Sequence, residues 1–436
     1  MLSPVETLQG LERRLTMAVP VTEIDEQVDQ RLKNLARTVR MPGFRLGKVP
    51  MKLVTRQYGP QVRGEVIGDA VQKAFTNAIS SQKLRIAGYP KIEPKTIDTP
   101  ADQLVFSATF EVYPEFALGE FSSTTVERPV LDVGEAEVDR TIESLRKQRA
   151  RFESADRTAQ VGDRATVDFV GKIDGQEFQG GSGQGVVFAI GERRMLPEFE
   201  SAVTGMAVGE TKTFPLTFPA DYQGKDVAGK AAEFTVTVHK IEMPVLPEVN
   251  AEFAKSLGVA DGDLAKMRNE IKENVQREVK QRLSNMLKQR VMQGLLDTNK
   301  PEIPNALIEM EQARLVQSAR ADLQARGLKD VDKLPIDPGI FREQAVRRVS
   351  LGLILAEVVK QNGLNAKPEQ VRKLVEEHAR TFEQPFEVVK WVYSQPERLA
   401  EFEGLAVEGN VVEWALTKAH VVDKPVVFEE LMGAPA

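Results

Sequence analysis

Apolar positions recur along this chain in three rhythms. The opening segment GLERRLTMAVP alternates as a strand does, and Ile24, Val28, Leu32, Leu35 and Val39 then return at helical spacing. A second helix is read over residues 62–80, and DQLVFSATFEVYP alternates again, closing an α+β unit near residue 115. Residues 155–243 switch to short alternating runs. Ala165, Val167 and Phe169 share one strand face, Phe214, Leu216 and Phe218 another, and Phe234, Val236 and Val238 a third. Asp174-Gly175 marks a hairpin, and LPEFESAV fits one short helix. From about residue 246 the rhythm is helical. The stripe Leu264, Met267, Ile271, Val275, Val279, Leu283, Leu287 and Val291 predicts an unusually long helix ended by Pro301 and Pro304. Asn362-Gly363 closes another helix, FREQAVRRVSLGLILAEVVKQNG, and further helices are read in KPEQVRKLVEEHAR and PERLAEFEGLAVEGNVVEWALTKAH.

These rhythms predict a multidomain α+β protein: an α+β N-terminal domain, a small antiparallel sheet with one short helix, and an all-α C-terminal domain. Residues 133–151 also carry helical spacing through Val138, Ile142 and Leu145, so the β-rich zone reads as an insertion into, or branch from, the helical body. The expected division is 1–115, a linker and helix at 116–154, 155–245 and 246–436. A chain of 436 residues is too long for one core, which agrees with several domains.

Composition narrows the chemistry. There is no cysteine, which removes disulfides, thiolate metal sites and cysteine nucleophiles together. No apolar run approaches the roughly 20 residues that span a bilayer, so no membrane partner is expected. The N-terminal MLSPVETLQGLERRL lacks a basic region followed by an apolar one, so a cytoplasmic location is expected. The net charge of −6 is unevenly spread. Within residues 31–95 fourteen Lys and Arg stand against Glu65, Asp69 and Glu93, a local +11 that leaves −17 for the rest. Such asymmetry suits a region that faces a polyanion, or more simply a solvated basic helix face.

Inside that basic zone lies MPGFRLGKVP. Pro42 and Pro50 bracket it, and Gly43 and Gly47 flank Phe44, so neither a helix nor a central strand can run through it. Arg45 and Lys48 stand beside the ring. A phenylalanine at a loop tip needs a reason, because loops lie on surfaces. It either anchors the loop beneath its own domain or inserts into a partner.

Familiar catalytic patterns are missing. His239, His378 and His420 are isolated in sequence, and no HExxH or GxSxG pattern occurs. GFRLGK has three residues between its glycines and is followed by Val49, not the hydroxyl residue a phosphate loop needs. GGSGQG, residues 180–185, lacks the strand and helix context of a dinucleotide site and reads as a flexible turn. No metal and no cofactor are expected. What the β-rich zone offers is apolar: Phe169, Phe178, Met195, Leu196, Phe199, Tyr222 and Phe234, which periodicity alone assigns to the core of a small domain.

At these residues the chain resembles known families. VDFVGKIDGQEF, IGERRMLPEFE, TGMAVGE and FPADYQGKDVAGKAAEFTVTV are similar to an FKBP-type peptidyl-prolyl isomerase domain. GFRLGKVP resembles the ribosome-docking signature of the bacterial trigger factor family, and QGLERRL, FEVYPE, LRKQRA and FEELM extend the likeness along the chain. The resemblance implies a ribosome-associated chaperone whose FKBP-like domain isomerises X-Pro bonds and whose helical domain cradles nascent and unfolded polypeptides. It implies docking at exit-tunnel protein and rRNA through Gly43, Phe44, Arg45, Gly47 and Lys48, and a weak homodimer off the ribosome. It further implies a proline pocket floored by Phe199, walled by Phe169, Tyr222 and Phe234, and rimmed by Met195 and Leu196, with Phe178 also counted among the site residues. Three positions depart from the usual patterns: Leu46 replaces a second basic residue, Gln179 stands where many FKBPs have Asp, and Glu198 replaces a glycine and is expected at the pocket edge.

In the helical region Met267, Met286, Met292, Met310, Phe382, Phe386, Trp391 and Tyr393 are candidates for polypeptide contact, though each is read first as core. Two alternatives stay open. One is a holdase whose FKBP-like domain is catalytically weak. The other is a free-standing RNA-binding protein, for which Phe44, Tyr58, Phe75 and Tyr89 supply few stacking aromatics.

Overall fold

A computed structural model describes residues 5–42, 44–45, 47–95, 102–222, 224 and 226–433. The chain forms two compact units, each built from separated stretches of sequence. One comprises residues 1–128 and 286–423, the other 129–285 and 424–436.

The first unit begins with an antiparallel four-stranded sheet in the order Glu6–Thr7, Glu12–Pro20, Gln103–Val112, Ile86–Lys95. On Glu12–Pro20 the residues Leu15, Met17 and Val19 point inward, as alternation requires. They meet Ile24, Val28 and Leu32 of helix Val21–Thr38. The second helix is longer than its pattern suggests, running Met51–Ser81 straight through Gly59 and Pro60. A proline mid-helix costs a hydrogen bond and clashes with the preceding turn. Here Val54 on one side and Val62 and Val66 on the other are buried in the same core, and that burial carries the helix across. The strand Ile86–Lys95 escapes a sequence reading because Gly88, Pro90 and Pro94 interrupt its alternation.

The rest of the first unit is helical: the end of Leu264–Thr298, then Asn305–Ala325, Arg342–Asn362, Pro368–Ala379, Pro385–Tyr393 and Pro396–Lys418. Gly363 adopts φ +65 and closes Arg342–Asn362, as the Asn-Gly pair predicts. Ile354, Val358, Val411 and Ala415 pack with Val291, Leu295, Phe121 and Val126. A short strand, His420–Pro425, pairs with Thr125–Val130 and is the one extended piece among these helices in the described residues.

In the second unit the helix Glu135–Gln148 faces the first part of Leu264–Thr298. Arg268 bridges Glu135 and Asp139 at 2.9 and 2.7 Å, and Lys272 reaches Glu135 at 2.9 Å. The β-rich zone is an antiparallel sheet built around one long strand, Ala231–Val245. Its one edge pairs with Arg164–Ile173, which pairs in turn with Gln176–Ala189. Its other edge pairs first with Thr211–Thr217 and then with Arg151–Ser154. His239 sits where the register with Arg164–Ile173 shifts, and its Nε2 meets Asp168 Oδ2 at 2.7 Å. The helix Pro197–Val203 lays Phe199, Ala202 and Val203 onto the sheet.

Candidate functional site

Eight aromatic rings of the β-rich zone meet above its sheet, Phe188 among them, with its centroid 5.9 Å from that of Phe199. Phe169 and Phe199 pack edge to face with centroids 5.4 Å apart, and Phe199 meets Phe234 at 5.8 Å. Phe178 meets Phe218 at 5.9 Å and Phe234 at 6.2 Å, Phe218 meets Tyr222 at 4.9 Å, and Phe214 backs Phe199 at 5.7 Å. Between six of these rings and the segment after Gly191 opens a cavity of about 450 Å³. Phe169, Phe178, Met195, Leu196, Phe199, Tyr222 and Phe234 all line it. Phe199 is buried at its base, whereas Tyr222 is 41% exposed at the mouth. The Tyr222 hydroxyl makes no hydrogen bond among the described residues.

The rings fit because glycines lie beneath them. A Cβ on Gly171 would come within 2.6 Å of the Phe234 ring, one on Gly181 within 2.7 Å of Phe178, and one on Gly183 within 2.9 Å of Phe169. Real side-chain carbons do not approach that closely, so these glycines are room for aromatic walls. This corrects the reading of GGSGQG as a flexible turn. The stretch belongs to the strand Gln176–Ala189, and its missing side chains shape the cavity.

Sequence reading also missed Glu200. It is 6% exposed, yet its carboxylate is fully engaged: Oε2 accepts from the Gly191 N–H at 2.8 Å and Oε1 from the Met195 N–H at 3.1 Å. It ties the rim to the helix that carries Phe199. A carboxylate directly after a predicted floor residue was the available signal. Phe218, Val227, Arg193 and Arg194 complete the lining and were likewise not singled out. Glu198, expected at the pocket edge, is exposed and does not line the cavity, because the helix turns it outward. Gln179 does line it. Asp168, on the strand beside Phe169, has its carboxyl held below the usual range, first by the Gly185 N–H and then by His239.

The second candidate site is the loop between the two N-terminal helices. Phe44 is 41% exposed. The loop is anchored instead by Val49, which is buried, with Val39 and Met41 packed against the same core. Two tight turns shape it: the Phe44 N–H donates to the Met41 carbonyl at 3.1 Å, and the Lys48 N–H to that of Arg45 at 2.9 Å. Gly47 takes φ +73, a conformation that disfavours any side chain. Gly43 and Leu46 lie outside the described residues. Arg37 and Arg40 at the end of one helix, and Lys52 and Arg56 at the start of the next, join Arg45 and Lys48 in being exposed. None of the six forms an ion pair among the described residues, whereas Arg31 and Arg63 farther along pair with Asp69 and Asp25. Six of the cations in residues 31–95 that make no ion pair among the described residues therefore flank Phe44 in the sequence.

Of the helical-region candidates, Met267 and Met292 are core. Met286 is half-buried, and Met310, Phe382, Phe386, Trp391 and Tyr393 are exposed, Phe386 by 80%. The expectation that each of these residues is core therefore fails for these last five, which lie at the surface.

An aromatic cavity over an antiparallel sheet crossed by one short helix is the arrangement of an FKBP-type peptidyl-prolyl cis-trans isomerase, and the model of that family matches residues 155–239. The models described as bacterial trigger factor protein and its C-terminus match residues 1–145 and 263–417. The chain belongs to the bacterial trigger factor family. It is 53% identical over 431 residues to the trigger factor of Aromatoleum aromaticum, covering 99% of each chain. It is also 53% identical over 447 residues to that of Paraburkholderia xenovorans, covering all of both. A solved trigger factor chaperone, studied for promiscuous substrate recognition, overlays 95% of this chain and 99% of its own at 18% identity and a TM-score of 0.48, too distant to bear on the assignment. Among the described residues no helix is long and apolar enough to cross a membrane.

Proposed function

We propose that this chaperone docks on the ribosome through the Phe44 loop, receives nascent and unfolded polypeptides, and isomerises their X-Pro bonds in the aromatic cavity. The observation that carries the reading is the convergence of Phe169, Phe178, Met195, Leu196, Phe199, Tyr222 and Phe234 on one cavity of about 450 Å³. Prolyl isomerisation needs no nucleophile. Its barrier of about 18–20 kcal/mol comes from amide resonance, which is lost as the bond twists. Water stabilises the planar, dipolar ground state, so holding the proline ring against Phe199 and Phe234 and stripping water from the imide favours the twisted form. Tyr222 at the mouth can donate its hydroxyl to a carbonyl of the bound chain and fix its orientation.

Docking divides between charge and shape. Arg45 and Lys48, with Arg37, Arg40, Lys52 and Arg56 around them, suit rRNA phosphate and acidic side chains and speed encounter. Phe44 supplies an apolar wedge that charge alone lacks. In this reading residues 1–115 dock, 116–154 link, 155–245 isomerise and 246–436 hold polypeptide, in the cytoplasm, with a weak homodimer forming off the ribosome. The exposed Phe382, Phe386, Trp391 and Tyr393 supply adaptable apolar contact for many sequences.

The test is exchange between cis and trans forms of a proline peptide, followed by NMR with catalytic amounts of the full chain. Acceleration supports the reading. Binding of unfolded protein with no acceleration would instead leave a holdase with an inert FKBP-type domain.

A further inference from the structure

The cavity has a charged lip with one sign. Arg193 and Arg194 line it, and no carboxylate among the described residues does. Glu198, Asp221 and Asp226 are exposed and stand outside the lining. Arg194 has one loose partner, Glu192 at 3.7 Å, with both side chains largely in solvent. Arg193 makes no ion pair among the described residues.

These arginines are held in place. Gly191 and Met195 bracket them, and both backbone N–H groups donate to the buried carboxylate of Glu200, so the intervening residues are pinned at each end. Arg193 itself adopts φ +57, a conformation that side-chain-bearing residues rarely take. Such a conformation persists only where its surroundings fix it, and the two bonds to Glu200 do so. The guanidinium groups therefore start from a defined segment at the mouth of an otherwise apolar cavity.

We infer that Arg193 and Arg194 are specificity-determining residues that favour prolines flanked by an acidic residue over prolines flanked by a basic one. This rests on the isomerase reading above. A proline seated against Phe199 leaves its chain neighbours at the lip, where a carboxylate gains two cations and an ammonium meets them. Both arginines are exposed, so the discrimination is modest, about two- to tenfold, and shrinks as salt screens it.

The experiment is NMR exchange on two peptide series in which Glu, Gln or Lys directly precedes or directly follows proline, with the full chain at low salt. The reading is the ratio of kcat/KM for the Glu peptide over the Lys peptide within each protein, so a general change in activity cancels. The expected ratio is about two to ten in at least one series, falling to near one in R193Q/R194Q and inverting in R193E/R194E. A ratio near one in both series for the natural chain, with the Gln peptides still turned over, overturns the inference and leaves the isomerase reading intact. A ratio that survives in both arginine variants also overturns it. Failure to turn over any peptide overturns both.

Discussion

The rings of Phe199 and Phe234 meet edge to face, with centroids 5.8 Å apart and planes at 85°. Both are buried in the core of the β-rich zone, and both line its cavity. The same pair thus stabilises the fold and forms the proposed proline site, so a substitution here reports on both at once. Separating them requires a partner at the mouth. We expect Phe199→Ala to cost about 3–5 kcal/mol of stability together with isomerisation. Tyr222→Ala, at an exposed position, should lower kcat/KM while leaving the unfolding midpoint nearly unchanged. Denaturant unfolding beside NMR exchange checks both.

Gly183 lies directly beneath Phe169. A methyl group there cannot fit without moving the ring or Val186, which a Cβ would approach to 2.8 Å. We expect Gly183→Ala to cost about 1–3 kcal/mol through overpacking and to distort the cavity wall. Gly185→Ala, whose Cβ would meet open space, should leave the Phe169 ring in place despite the strain at its φ of +60. Aromatic chemical shifts of Phe169 in the two variants distinguish the outcomes.

Glu242 carries an acid-sensitive contribution to stability. Lys240 at 2.8 Å, and Arg164 at 2.8 and 2.9 Å, hold its carboxyl below the ordinary glutamate range. A depressed folded value means the unfolded chain binds the proton more readily. The contribution is therefore complete above the unfolded value of about 4.3 and is lost as pH falls through the lower folded one. Glu242→Gln should be less stable near neutrality and show a shallower loss of stability over that acid window. Unfolding midpoints measured across it check the sign.

Much of this was legible in the sequence, for identifiable reasons. Alternation located Arg164–Ile173, Thr211–Thr217 and Ala231–Val245 because each has one buried face. The Asn362-Gly363 stop was read correctly because a left-handed cap strongly favours glycine. Gly59-Pro60 misled because local propensity cannot register the burial of Val54 and Val66 that overrides it. Residues 180–185 misled for a related reason: a glycine that yields space to a ring, as Gly181 does to Phe178 on its own strand and Gly183 to Phe169 on the neighbouring one, looks like any turn glycine. Family resemblance picked out the seven cavity residues, whereas periodicity saw only core. Glu200 was passed over because its value lies in two backbone N–H groups, which no side-chain pattern records.

The Phe44 loop offers the most direct measurement of the proposed role. Phe44, Arg45 and Lys48 are exposed, so the triple change to alanine should leave the fold intact, each substitution shifting stability by no more than about 0.5 kcal/mol. Co-sedimentation with bacterial ribosomes would compare this variant with the natural chain at low and moderate salt. The expected result is binding by the natural chain that weakens with salt, and loss of binding by the variant at both concentrations while its circular dichroism and unfolding midpoint are unchanged. Equal binding by the two chains, or none by either, would contradict ribosome docking through this loop.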